Sequence, residues 1–282
     1  GVDGVMARRR GMKLVLLIVL AWIIVPVLVS CARYTSPAYS WSNAPRHSSG
    51  LAPDPTVHRD AVVQIYNARA FRWRGIFATH PWIVVKRTDA AAYKRYEVVG
   101  WGSGSKLRTD YATVDGLWYG STPTLLVDVR GPEADALIEQ IEGAVDSYPY
   151  KGDYVTWPGP NSNTFLAHVA REVPDLSLDI PASAIGKDYR PWYQPAGLAP
   201  SGTGVQVSLL GLLGATLAAE EGVEFNLLGL SFGVDLLRPA LRLPAVGRLG
   251  VPEDVARARG SVLTGWKLNR PSVIANFNDI FQ

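Results

Sequence analysis

The chain has 282 residues, with 28 Lys+Arg against 25 Asp+Glu, four histidines and one cysteine. At 48% hydrophobic and 19% charged it is neither disordered nor a multi-pass membrane protein, and its length supplies one large domain or two small ones. A single cysteine excludes an intrachain disulfide framework, and near-balanced charge with no basic run beyond Arg8–Arg10 excludes nucleic acid as an expected partner.

Residues 1–31 read as an export or anchoring segment. Met6 reads as the start of translation, with Gly1–Val5 as upstream sequence. Basic residues Arg8–Arg10 and Lys13 precede an uncharged run from Leu14 to Ser30, interrupted by Pro26. Positive residues before an apolar run hold that end in the cytoplasm, so the rest is expected to be exported and membrane-anchored on the periplasmic side of a bacterial envelope. Leu28-Val-Ser-Cys31 resembles a lipobox, which implies a lipoprotein acylated on Cys31; an uncleaved single-pass anchor helix is the alternative. Either way the expected partner is the membrane.

Residues 32–60, rich in Pro, Ser and Ala, predict a tether carrying His47 and His58. An α+β core domain is expected over 61–195. Short β-branched or aromatic runs at 61–66, 80–86, 96–100 and 124–129 predict four strands of a small antiparallel sheet. Gly131-Pro132 opens a helix with Leu137, Ile138, Ile141, Val145 and Tyr148 on one face. A second helix follows Pro160, with Phe165, Leu166, Val169 and Val173 on one face, and Pro174 stops it.

Residues 196–282 differ. Val205–Leu217 and Val223–Leu237 are apolar, Gly-punctuated stretches around Ala218-Ala-Glu-Glu-Gly222, which predicts one long β-hairpin, buried or lying on lipid. An irregular tail with a short helix at 253–259 is expected after it. Glu220, Glu221 and Glu224 have no histidine beside them and read as a solvated turn. No spacing calls for a metal or a cofactor. Tyr148, Tyr150, Tyr154, Trp157, Trp192 and Tyr193 supply aromatics for a groove or for packing. Lys187-Asp188 reads as a structural salt bridge.

Acyl-transfer chemistry needs a nucleophile, a base within reach and a group that orients the base. His168 lies six residues past Ser162, about 240° around the helix, and points elsewhere. His80, at the entry of an apolar strand, is left as the base. Ser162 stands in the first helical turn, where free backbone N–H groups suit an oxyanion, although Ser162 or Asn161 would also serve as a plain N-cap.

Thr79-His-Pro-Trp-Ile-Val-Val85 followed by Gly159-Pro-Asn-Ser-Asn-Thr-Phe165 resembles the circularly permuted papain-like (NlpC-type, lecithin retinol acyltransferase-like) superfamily. The resemblance implies a base at His80, a nucleophile at Ser162 in place of the family's cysteine, and an orienting polar residue on the neighbouring strand, best filled by Glu97. Asn161 and Asn163 would shape the oxyanion site. Trp157–Phe165, Ala184–Tyr189 and Pro244–Gly250 also resemble an uncharacterised bacterial family, one of the numbered domains of unknown function. Together these imply a membrane-tethered envelope hydrolase or acyltransferase acting on an acyl or amide bond; the alternative is a non-catalytic envelope scaffold or binding protein of the same fold.

Overall fold

A computed structural model describes residues 2–35, 38–252 and 256–257. The fold is α+β, with two sheets and three α-helices among these residues. Helix α1 (Val2–Arg33) contains the whole apolar run, with Pro26 inside it and Cys31 exposed near its end. Its segment Gly4–Arg33 is long and apolar enough to cross a membrane and is compatible with a signal sequence or a membrane anchor.

The first sheet has the order β5 (Thr124–Arg130), β1 (Val62–Arg69), β2 (Thr79–Lys86), β3 (Lys94–Val98), β4 (Leu107–Thr109), all antiparallel neighbours. Alternation sorts its side chains into two cores. Val63, Ile65, Ile83, Val85, Tyr96 and Val98 pack against α2 (Pro132–Ser147) and α3 (Ser162–Glu172). Tyr66, Trp82 and Val84 point to the opposite face, where Trp118 from the loop before β5 covers them. The four predicted strands and both helices form where the periodicity placed them. Proline closes α3, whose C-cap is Val173.

Among the described residues, those after Arg33 and up to residue 60 hold no helix or strand beyond an isolated bridge between Ser48 and Gly116, yet they are not a free tether. The Asp115 carboxylate collects Ser48 Oγ at 2.9 Å and the amides of Leu51 and Ala52 at 2.8 and 3.1 Å, fastening this stretch to the domain. One buried acceptor with several donors explains how a Pro/Ser-rich segment becomes ordered.

The expected hairpin is instead a meander. Strands β6 (Ala196–Leu198), β7 (Gly204–Leu209), β8 (Leu213–Ala218), β9 (Gly222–Leu227), β10 (Leu230–Asp235), β11 (Ala240–Leu243) and β12 (Gly247–Gly250) pair in sequence order into a seven-stranded antiparallel sheet. The additional turns are at Leu210-Gly211 and Leu228-Gly229, all four with positive φ. In the expected tail, Ala256–Arg257 (β13) runs parallel to β5 rather than as a helix. The rest of the segment after Pro252 lies outside the described residues.

The polarity of this second sheet is inverted. Gln206, Ser208, Thr216, Glu224, Asn226, Ser231, Asp235 and Arg242 are buried on one face. Val205, Val207, Leu213, Leu217, Phe225 and Leu249 are exposed on the other. Glu224 is therefore not part of a solvated turn: it accepts from Lys187 and from Arg242 Nε at 2.7 Å. Lys187 also pairs with Asp188 at 2.9 Å, and Asp188 takes hydrogen bonds from Gln206 and Ser231 at 2.7 and 2.6 Å. Burial disfavours the charge on Lys187, but the carboxylates of Asp188 and Glu224 outweigh it and hold the ammonium above its ordinary pKa. Removing one member of such a pair strands the others, so Glu224→Gln is expected to cost about 3–5 kcal/mol, read as a lower urea midpoint for the full chain in detergent micelles.

Candidate functional site

The expected site residues come from three places. His80 is the second residue of β2 and shares the face of Trp82, away from α2 and α3. Glu97 lies on β3 next to it, and alternation puts Arg95, two residues earlier, on the same side. Ser162 is the first residue of α3, on the opposite side of the first sheet, near the start of β2. The helix is tied to that strand start by Asn163, whose Nδ2 donates to the Thr79 carbonyl at 3.1 Å.

His80 Nε2 meets Glu97 Oε2 at 3.0 Å. Arg95 grips the same carboxylate twice, Nε to Oε1 at 2.8 Å and Nη2 to Oε2 at 3.0 Å. The imidazole lies flat on Trp118, ring centroids 3.6 Å apart and planes 10° apart. These contacts fix the ring and leave Nδ1 as the nitrogen not used by Glu97. Arg95 was not anticipated from the sequence, although its i, i+2 spacing from Glu97 on a strand carries the signal.

Burial pushes the His80 pKa down, against the raising effect of Glu97, so the ring is neutral at pH 7. Burial pushes Glu97 up, but the hydrogen bond from His80 and the charge of Arg95 prevail and keep it ionised.

At the start of α3 the N-cap is Asn161, not Ser162. Asn161 Oδ1 accepts from the amides of Asn163 and Thr164 at 2.9 and 3.2 Å, and the Asn161 amide donates in return to Thr164 Oγ1, completing a capping box. Both Asn161 and Asn163 spend their side-chain N–H groups on backbone carbonyls: Asn161 on Thr156 and Ile185, Asn163 on Thr79 and Ile185. Their side-chain N–H groups are thus taken up in building the turn that carries Ser162. Ser162, relieved of capping, stands beside Tyr154. Burial raises the Tyr154 pKa, and a hydrogen bond with Ser162 only partly offsets that.

His80 and Ser162 line one cavity of about 900 Å³, and no hydrogen bond joins them. Its wall is aromatic: Trp41, Phe71, Trp73, Phe77, Trp101, Tyr111, Trp118, Tyr119, Tyr154 and Trp157. Only Tyr154 and Trp157 were singled out from the sequence; Phe71-Arg-Trp-Arg-Gly-Ile-Phe77, with three aromatics in seven residues, was the overlooked signal. Tyr148 packs in the core, and Trp192 and Tyr193 are exposed away from the cavity. Thr79 Oγ1 and Asn163 Oδ1, on lining residues, are buried without a hydrogen-bond partner. His168 bonds Ala144 O at 3.0 Å and plays no part here. Among the described residues no cluster of His, Cys, Asp and Glu is able to hold a metal ion.

Residues 60–189 match the model of a family described as Protein of unknown function (DUF3750). The matched part holds β1–β5, α2, α3 and the residues His80, Arg95, Glu97, Asn161, Ser162 and Asn163. No curated protein and no solved structure matches the chain, and the papain-like resemblance is not shown by any of these comparisons.

The Glu97 hydrogen bond and charge raise the His80 pKa, and removing them should lower it further. An NMR titration of the His80 ring should therefore give a midpoint below 6.5, the ordinary value for histidine, and a still lower one in Glu97→Gln. A midpoint above 6.5 in the parent protein would contradict this account of the site.

Proposed function

We propose that this protein is a membrane-tethered serine–histidine hydrolase or acyltransferase, acting on an acyl or amide bond held in the aromatic cavity. The observation that carries this reading is the shared cavity: a neutral imidazole, braced by Glu97 and Arg95, opens onto the same space as a serine freed from capping. Ser162 Oγ attacks the carbonyl and His80 Nδ1 takes its proton. The Glu97 carboxylate stabilises the imidazolium that forms, as the third member of a triad does. The Ser162 amide, left free by the cap, and the Tyr154 hydroxyl, kept protonated by burial, face the developing oxyanion. His80 then returns the proton to the leaving group. A serine hydroxyl depends wholly on such a base, since it has no thiolate form to draw on.

In this reading the domain lies on the non-cytoplasmic side, because Arg8–Arg10 and Lys13 precede the apolar segment. Acylation of Cys31, exposed near the end of α1, would make the protein a lipoprotein.

A fluorophosphonate probe should label the parent chain and fail to label Ser162→Ala. Labelling of His80→Ala should be slower by about three orders of magnitude or more. Because His80 must be neutral to act, the rate should fall as pH drops through a midpoint below 6.5 and be flat above it until another group titrates. The competing reading, a binding protein that performs no reaction, is favoured by the missing His80–Ser162 hydrogen bond. It requires that folded protein resist a panel of such probes while still binding apolar ligands.

A further inference from the structure

The second sheet carries a surface that the candidate site does not use. Antiparallel sheets with one solvated face turn polar residues to water. Here every outward position from β6 to β12 is Ala, Val, Leu, Phe or Gly. Val205, Val207, Leu217, Phe225, Leu241 and Leu249 are between 38% and 62% exposed. Monomeric soluble proteins rarely leave a contiguous apolar patch of this kind in water. The turn after β10 extends it with Leu236 and Leu237, which are 71% and 73% exposed.

Helix α1 identifies what covers this face. It contacts β10 and β11, with Trp22 edge-on to Phe232 at 6.5 Å. Pro26 and Ser30 are buried on its inner side, while Leu14, Leu17, Val25 and Leu28 on its other sides are exposed. The uncovered strands β7–β9 therefore continue sideways from the surface of the one described helix able to cross a membrane. Two apolar surfaces in lateral continuity share one solvent, and for a membrane helix that solvent is hydrocarbon.

We propose that the outer face of the second sheet rests on the lipid of a bilayer beside α1, seating the domain on the membrane rather than suspending it above. The cavity rim is fastened to both apolar elements. Trp157 at the rim donates to Leu228 O in the turn between β9 and β10, at 2.8 Å. Ser30 Oγ of α1 donates to Ile76 O at 2.7 Å, in the 3₁₀ turn Arg72–Ile76 that carries Trp73. The mouth thus lies at lipid level. For the reaction proposed above, on which this corollary alone rests, that position selects an acyl ester or amide of a membrane amphiphile.

The test uses the full chain with Cys31→Ser and one added cysteine at a time: Val207→Cys, Leu217→Cys or Leu249→Cys on the face, and Glu139→Cys on α2 as a control. Each is labelled with an environment-sensitive nitrobenzoxadiazole dye and reconstituted into phosphatidylcholine–phosphatidylglycerol vesicles. The face positions should show blue-shifted emission and lose most of it to doxyl-labelled lipids, whereas the control should be quenched by aqueous iodide. Face labels that iodide reaches as readily as the control would overturn the proposal. So would dry labels that doxyl lipids fail to quench, the signature of cover by a second copy or by residues 258–282. Three independent face positions guard against one variant misfolding. Because no turnover is read, quenching without fluorophosphonate labelling would retain the docking surface and discard the catalytic reading.

Discussion

The arrangement of this molecule depends on the buried ionic cluster of Lys187, Asp188, Glu224, Arg242 and Asp179. Strand side chains alternate with a period of two, so committing Gln206, Glu224 and Arg242 to the inner face commits Val205, Val223, Phe225 and Leu241 to the outer one. A shift of register by one residue would bury the apolar set but would expel Glu224 and Arg242, leaving Lys187 inside without Glu224 and Asp179 inside without Arg242. The uncompensated charges make that alternative far more costly than the native register. The ion cluster thus acts as a register lock whose by-product is an apolar exterior.

The same cluster places the candidate site. Lys187 and Asp188 follow Ile185 and Gly186, whose carbonyls receive the side chains of Asn161, Asn163 and Thr164. At Gly186 the φ of +100° and the Asn161 side chain, which a Cβ would strike at 2.3 Å, leave room for no other residue. The chain that pins the second sheet to the domain is therefore also the wall against which the start of α3 is built. Asn163 carries the connection on to Thr79, next to His80. Two groups from opposite sides of the first sheet reach one cavity because α3 begins beside the start of β2 rather than over its middle.

Much of this was legible in the sequence, and what was missed has identifiable causes. The first sheet and α2 and α3 follow from clean periodicity with Gly and Pro at their borders. The pairing of His80 with Glu97 was reachable from strand adjacency alone, and Arg95 could have been added by alternation. The second sheet was misread because two of its turns are built on Leu210-Gly211 and Leu228-Gly229. Turns of this hand favour Asn or Asp before the Gly, and a leucine at positive φ hides the signal inside an apolar run. The inverted polarity was hidden for a related reason: reading the stretches as apolar overall obscured the strict alternation of Val205, Gln206, Val207, Ser208 and Leu209. Residues 32–60 looked like a tether because their order comes from Asp115, far along the chain, and composition records no such partner.

Capping and chemistry at the start of α3 would ordinarily compete for the same residue type. A serine that caps its own helix has its hydroxyl lone pairs turned to backbone N–H groups. Here Asn161 takes the cap with one oxygen shared by two amides, and Thr164 closes the box from the other side. Ser162 is left in the first turn, where the helix dipole is strongest and the hydroxyl has no structural duty beyond Tyr154. The cost is carried by the neighbours: Asn163 Oδ1 and Thr79 Oγ1 stay buried and unpaired at the edge of an otherwise aromatic cavity. Unpaired polar atoms in a site this apolar are expensive to maintain for packing alone. In the proposed reaction, a carbonyl compound with a donor to offer Asn163 Oδ1 would relieve that cost on binding.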